Sequence, residues 1–257
     1  GRVQMALSIV LMRPLLEDGY TMWVVARKRE MPEGHTVADM ADDLATLIED
    51  EFDGKVDLVM GEEAIGGMTA FHMAADHPDR FGHLVVMLAG HRMSEEGRTF
   101  EREFARLLSI GRRAEAGSLL VGTIAPWLRV SAIRRILGAS LVRFLLEETY
   151  PSFAQDVMVE AEAVTSFDGG EMLREIHVPI LLIGCDRDFE FSKEVYEETA
   201  RLIPDCTLRL YEGKTGFQAA SDKRLPLEVL DFVERASGAE TAERASEPSA
   251  EPIAAQA

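Results

Sequence analysis

Three scarcities in this 257-residue sequence narrow the classes of protein that it can encode. Cysteine occurs only at Cys185 and Cys206, without the spacing of a metal site, so we expect buried thiols, no bound metal and no cofactor. Apolar runs stay well short of the ~18 residues that a membrane-spanning helix needs. No secretory signal pattern opens the sequence. These absences predict a cytoplasmic protein.

Basic residues are also scarce relative to acidic ones. The sequence has 27 lysines and arginines against 45 aspartates and glutamates, which gives a net charge of −18. Because a strongly acidic surface repels phosphates, we expect neither nucleic acid nor a membrane as a partner. The length suits one large α/β domain, or such a core with an inserted cap.

The stretch from Val56 to Leu88 has the pattern of a βαβ unit and reads VDLVMGEEAIGGMTAFHMAADHPDRFGHLVVML. An apolar strand from Val56 to Met60 leads through a glycine-containing turn, Gly61 to Gly67, into a helix. A second apolar strand, Leu84 to Leu88, follows the helix. Strand, helix and parallel strand form the repeating unit of an α/β domain.

The remaining predicted elements also alternate between strands and helices, both before and after a stretch that is helical throughout. From Ser94 to Phe167 the apolar periodicity is helical, without a convincing strand. From Gly238 to Ala257 almost nothing can be buried, which predicts a disordered tail. The other predicted strands are Thr21 to Ala26, Pro179 to Gly184 and Thr207 to Tyr211, and the other predicted helices begin after Thr36, at Ser192 and at Pro226.

The order of these elements resembles the α/β-hydrolase family. The resemblance rests on the turn with Gly66-Gly67, on the helix end Ala75 to Asp79, and on an acidic loop after Gly184. It implies an α/β-hydrolase fold: a mostly parallel sheet flanked by helices, with an inserted helical cap. The core would comprise residues 1–93 and 168–237, the cap 94–167 and the tail 238–257. The family's N-terminal strands have no match, so they are missing or shortened in this sequence.

The resemblance also implies a catalytic triad in the order nucleophile, acid, histidine. Asp188 matches the acid position in a Gly-x-Asp-x-Asp pattern, with Asp186 as the second choice. The nucleophile position has no serine. Counting back from the paired glycines places Ala64 there, whereas counting forward from Gly61 places Glu63 there. Glu63 could form a covalent intermediate, as the aspartate does in the related epoxide hydrolases and haloalkane dehalogenases.

The position of the general base is unmatched as well. The family places this histidine after the last strand, where the present sequence has Gly216. All six histidines precede the acidic loop. His91 follows the strand after the turn, at the edge of the sheet where ligands bind, and is therefore the best substitute base. One half of the oxyanion hole cannot be placed, and the amide of Ala64 or Ile65 would supply the other half.

The resemblance therefore implies a hydrolase of small esters, lactones or similar acyl compounds whose serine-hydrolase activity is lost or impaired, a pseudoenzyme. Such a protein would bind a small apolar molecule under the cap, and the candidate lining residues are Trp127, Phe144, Tyr150, Phe153 and Met158. One alternative is an active hydrolase that uses Glu63, Asp188 and His91. A second alternative is a non-catalytic module that binds a small molecule or a protein. The sequence leaves open whether the protein forms a homodimer.

Overall fold

The computed structural model describes residues 9–125, 127–145 and 150–246. Its centre is a sheet of four parallel strands in the order β1-β2-β3-β4. The strands are β1 (Val56–Glu62), β2 (Phe81–Met87), β3 (Ile180–Cys185) and β4 (Cys206–Tyr211). Each of the four agrees with a predicted strand to within a few residues. The predicted α/β class with a parallel sheet is thus confirmed.

Helices cover both faces of this sheet and fill the segment between β2 and β3. In chain order they are α1 (Arg13–Glu17), α2 (Val37–Glu51), α3 (Glu63–Asp76), α4 (Glu95–Ser109), α5 (Arg113–Ile124), α6 (Ser131–Leu145), α7 (Phe153–Ser166), α8 (Lys193–Leu202), α9 (Gly216–Ala220) and α10 (Leu225–Ser246). Two short 3₁₀ turns, Pro78–Arg80 and Met172–Glu175, precede β2 and β3.

Successive side chains of the central strands β2 and β3 point to opposite faces of the sheet. Each face of the sheet therefore has its own apolar cluster. Leu84 and Val86 point toward α2, α3 and α8, and Val85 and Met87 point toward α1 and α10. The side chains of β3 are buried on both faces, as expected for an inner strand of a parallel sheet. The helix caps agree with the sequence: Thr36 forms a capping box at the start of α2, and Ser192 caps α8.

The segment between β2 and β3 is helical, as the periodicity predicts. Its helices α5 and α6 cross at Gly117 and Gly138, where a Cβ on Gly138 would lie only 2.2 Å from the carbonyl carbon of Gly117. Phe153 is buried in a cluster within this segment, whereas Trp127 is 77% exposed. The side chain of Phe144 lies outside the described residues.

The structure differs from the sequence prediction in one strand and at one helix end. Thr21 to Ala26 is not a strand, because no described strand runs beside it and its backbone groups form no backbone hydrogen bonds within the described chain. Its β-branched content fits a strand, but a strand also needs a neighbour to pair with. The final helix, α10, continues to Ser246, so the first residues of the predicted tail are helical; residues 247–257 lie outside the described part.

Candidate functional site

The candidate site lies at the carboxyl edge of the sheet. Because all four strands are parallel, the loops that follow them emerge at the same edge. These loops carry Glu63 after β1, His91 after β2, Asp188 after β3 and Gly216 after β4. The sequence-predicted residues thus share one edge, and their contacts decide which of them can act together.

Glu63 is the first residue of α3, in the sharp turn that directly follows β1. Its φ of +59° lies in the left-handed region, which is uncommon for a residue other than glycine. The turn is tight because a Cβ on Gly61 would lie 2.4 Å from the carbonyl oxygen of Gly66. Ala64 is a helical residue buried in the main core. Of the two candidate nucleophile positions, Glu63 therefore has the exceptional backbone and Ala64 does not.

Four carboxyl groups gather around this turn, and we call Glu63, Glu101, Asp188 and Glu190 the carboxyl cluster. Burial is the main reason that the pKa of Glu190 lies well above its ordinary value, and the negative charges of Glu101, Asp188 and Glu63 add to it. Burial likewise raises the pKa of Glu101 to about 7. Surrounding protein atoms also raise the pKa of Glu63, although the residue as a whole is exposed to solvent.

Helix α4 places Glu101 in the cluster by docking on the loop after β3. Ser94 caps α4 by accepting from the amide of Gly97 at 2.9 Å, and its hydroxyl donates to the carbonyl of Phe189 at 2.8 Å. The amide of Ser94 donates to the carbonyl of Glu190 at 2.8 Å. Glu101 follows one turn after Gly97 on the same side of the helix. Its side chain therefore meets that of Glu190, and the two carboxyl groups share a hydrogen bond.

Asp188 is the most firmly held member of the cluster. Its carboxylate accepts from the Tyr196 hydroxyl at 2.5 Å and from the amide of Glu190 at 2.9 Å. Burial raises the pKa of Asp188, and these donors oppose the rise. The arrangement fixes the orientation of the carboxylate, which is what a triad acid requires.

His91 does not belong to the carboxyl cluster. Its ring Nδ1 lies 3.0 Å from the hydroxyl oxygen of Thr199, and its Nε2 lies 3.6 Å from a carboxylate oxygen of Glu198. Both partners are on α8. Burial lowers the pKa of the ring, so it is neutral near pH 7. Glu63 and Asp188 thus both lie close enough to Glu190 to affect its charge, whereas His91 is in a separate polar contact.

No other described histidine supplies a base for the cluster. Gly216 begins α9, and a Cβ there would lie 3.5 Å from Leu88, so the position accommodates a Cβ atom. The remaining histidines pair elsewhere or lie at the surface: His35 with Asp43, His72 with Asp76, His77 with Asp42, His83 with Ser237, and the exposed His177.

Among the described residues, no group of three or more histidine, cysteine, aspartate or glutamate side chains is arranged to hold a metal ion. No helix in that part of the chain is long and apolar enough to cross a membrane. Both cysteines are free thiols.

A parallel sheet with helices on both faces, a left-handed residue between β1 and α3, and an acidic loop after β3 are features of the α/β-hydrolase class of fold. Comparison with known proteins agrees. Over 210 residues the chain is 30% identical to RutD of Caulobacter sp. (strain K31), a protein named as a carbamate hydrolase. The match covers 80% of this chain and 75% of that protein. The chain belongs to the α/β-hydrolase family.

Solved structures give the same fold at low sequence identity. An esterase from Exiguobacterium antarcticum has a TM-score of 0.70 and 15% identity, with 89% of this chain and 87% of that chain covered. An enol-lactonase from Burkholderia xenovorans has a TM-score of 0.61 and 18% identity, with 80% and 76% covered. No protein-family profile matches the chain.

Proposed function

We propose that this protein descends from hydrolases of small esters, lactones and related acyl compounds, and that it has lost ordinary serine-hydrolase turnover. The proposal rests on the position of Glu63. In this family the nucleophile lies in a sharp turn between a strand and a helix, called the nucleophile elbow, and here the left-handed residue of that turn has a carboxyl group. In the proposed arrangement α4 to α7 form a helical cap, and the amide of Ala64 is the remaining oxyanion donor.

The chemistry of the edge supports this proposal. Acyl transfer by a serine enzyme needs a hydroxyl, a base that takes its proton and an acid that orients the base. Asp188 keeps the third role, whereas Glu63 and Gly216 stand in the first two positions. Relatives named as an esterase, an enol-lactonase and a carbamate hydrolase support the acyl class of ligand. The protein would bind a small apolar acyl compound without cleaving it.

Hydrolysis of p-nitrophenyl acetate and butyrate tests the loss of turnover. We expect the parent protein to be inert and a Glu63→Ser/Gly216→His variant to gain slow turnover, because Asp188 would orient the new histidine. The matched control is Ala64→Ser/Gly216→His, which places the hydroxyl on a buried helical residue instead. Equal gains in both variants would show that Glu63 is not the elbow residue. Turnover by the parent would contradict the proposed loss.

A second candidate function is carboxylate-based hydrolysis by the parent itself. It is favoured by one observation, that Glu63 and Asp188 belong to a single cluster whose member Glu101 has its pKa raised to about 7. A carboxyl group with that pKa can donate or accept a proton near neutral pH. Burial keeps His91 neutral, as a base must be, but its contacts with Thr199 and Glu198 hold it apart.

The two candidates differ in the effect of Glu63→Gln. If the parent hydrolyses the esters and this variant does not, the second candidate stands. Glu62→Gln is the matched control, because Glu62 is the neighbouring carboxyl group and its pKa is also raised by burial. Turnover that survives Glu63→Gln would refute the second candidate. A rise in melting temperature with an apolar acyl compound, without turnover, is the result that the first candidate expects.

A further inference from the structure

The charge of this acidic protein is unevenly distributed. The stretch from Arg106 to Leu145, which contains α5 and α6, has a single acidic residue, Glu115, in a chain with a net charge of −18. Its seven arginines are Arg106, Arg112, Arg113, Arg129, Arg134, Arg135 and Arg143. Among the residues that the structure describes, Arg106 is in an ion pair with Glu103, and both Arg112 and Arg135 are in ion pairs with Glu115, so these two carboxylates oppose part of the positive charge. This stretch is therefore a basic island on a negative protein.

The same stretch exposes large apolar side chains along one face of α6. Ile133, Ile136 and Leu137 have the i, i+3, i+4 spacing of one helix face, and Trp127 and Val130 precede them. We call these five residues the α6 stripe; their exposed fractions run from 44% to 77%. Gly138 on the other side of the helix packs against α5, so the stripe faces away from the protein.

We propose that the α6 stripe docks on the surface of an anionic lipid bilayer. A helix with tryptophan and branched aliphatic side chains on one face, and arginines at its margins, lies in the plane of a membrane interface. Arg129 and Arg143 are exposed at the margins of the stripe. The net charge of the chain does not oppose this contact, because salt screens charges beyond about 8 Å and only the basic island would approach the lipid.

Charge also separates a lipid surface from a second copy of the chain. In a twofold dimer the stripe of one copy would face the stripe of the other, and the arginines at the margins would meet one another. Such like-charge contacts oppose association. An anionic bilayer offers the opposite charge along the whole stripe. We therefore assign the stripe to lipid and treat dimerisation as an outcome of the test.

A second exposed apolar group provides an internal comparison. Trp23, Val24 and Val25 are also more than half exposed. The adjacent basic side chains Arg27 and Lys28 are in ion pairs with Glu160 and Asp43, which cancel their charge. The α6 stripe differs in having the exposed Arg129 and Arg143 in addition to its paired arginines.

Because the chain has two tryptophans, one in each apolar group, fluorescence can distinguish the two surfaces. In the Trp23→Phe variant, Trp127 emission should shift to shorter wavelength with vesicles that contain phosphatidylglycerol, and not with phosphatidylcholine alone. In the matched Trp127→Phe variant, Trp23 emission should not shift. A shift of Trp23, or of neither tryptophan, would overturn the assignment.

Vesicle co-sedimentation measures how strongly the protein partitions onto the lipid surface. Arg143→Ala should lower partitioning onto phosphatidylglycerol vesicles about fivefold, the loss expected for one basic residue near an anionic surface. Ile136→Ser/Leu137→Ser should abolish partitioning. Leu227→Ser is the matched control, because Leu227 is 57% exposed on α10, and it should have no effect. Partitioning that survives the double substitution would overturn the proposal. The proposal would also be overturned if the parent protein were a dimer that the double substitution dissociates, and if vesicles had no effect on the parent.

Discussion

Replacing Glu101 by glutamine tests whether the carboxyl cluster binds a proton when the chain folds. Burial raises the pKa of Glu101 from 4.5 to about 7. Between these two values the folded state binds more protons than the unfolded state, so the free energy of unfolding falls as pH rises through this window. The full step corresponds to about 3 kcal/mol. Because Glu190 shares the proton, we expect Glu101→Gln to gain about 1 to 3 kcal/mol at pH 8 relative to the parent.

Urea denaturation at a series of pH values between about 4.5 and 8 measures this gain. The parent should lose stability across the window, and Glu101→Gln should lose less. Glu103→Gln is the control on the same helix, because Glu103 is bonded to Arg106 at 2.7 Å and the pKa of its carboxyl group is lowered by that hydrogen bond. The control should keep the parent's slope. An equally steep loss in Glu101→Gln would refute proton uptake at this pair.

Three further substitutions test other parts of the structure. Asp156→Ala should lower the free energy of unfolding by about 2 to 4 kcal/mol in urea titrations, because its buried carboxylate accepts the amide of Met31 at 2.9 Å together with other donors; loss of less than ~1 kcal/mol would contradict this. Gly138→Ala should lower the melting temperature strongly, since its methyl group would meet backbone, whereas Gly122→Ala would meet only the end of a flexible arginine; equal effects would disprove the close helix crossing. Glu63→Gly should be more stable than Glu63→Ala by about 1 kcal/mol, because both remove the carboxyl group and only alanine keeps the left-handed strain; equal urea midpoints would show that the turn is unstrained.

The sheet could be predicted from sequence because its strands carry local signals. β1 and β3 are short apolar runs, and glycine or charged loop residues mark their ends. Thr21 to Ala26 is also a short, mainly apolar run, but its prediction as a strand was wrong. A strand must pair with a second strand elsewhere in the chain, and the local sequence does not show whether one is present. The turn after β1 shows a similar limit: counting residues left both Glu63 and Ala64 as candidate nucleophile positions, and only the backbone φ distinguishes the two residues.

Sequence reasoning missed Glu101 and Glu190, although one signal was present. On α4, Glu101 shares a face with Phe104, Ala105 and Leu108, so it is a charged residue in line with an otherwise apolar stripe. A carboxyl group in that position must either reach solvent or meet a partner. Which partner it meets depends on the docking of α4 on the loop after β3, and no local pattern encodes that docking.

The proposed loss of the triad is compatible with an intact fold, because the contacts that hold the turn at Glu63 and the carboxylate of Asp188 do not involve a serine or a histidine. A serine enzyme of this family needs a hydroxyl, an imidazole and a carboxylate at the edge of the sheet. Here the turn is maintained by Gly61 against Gly66, and Asp188 is maintained by Tyr196 and two loop amides. Neither support depends on a serine or on a histidine. Under the proposed loss of turnover, the scaffold of the site persists without its chemistry, and the two substitutions Glu63→Ser and Gly216→His test whether that chemistry can return.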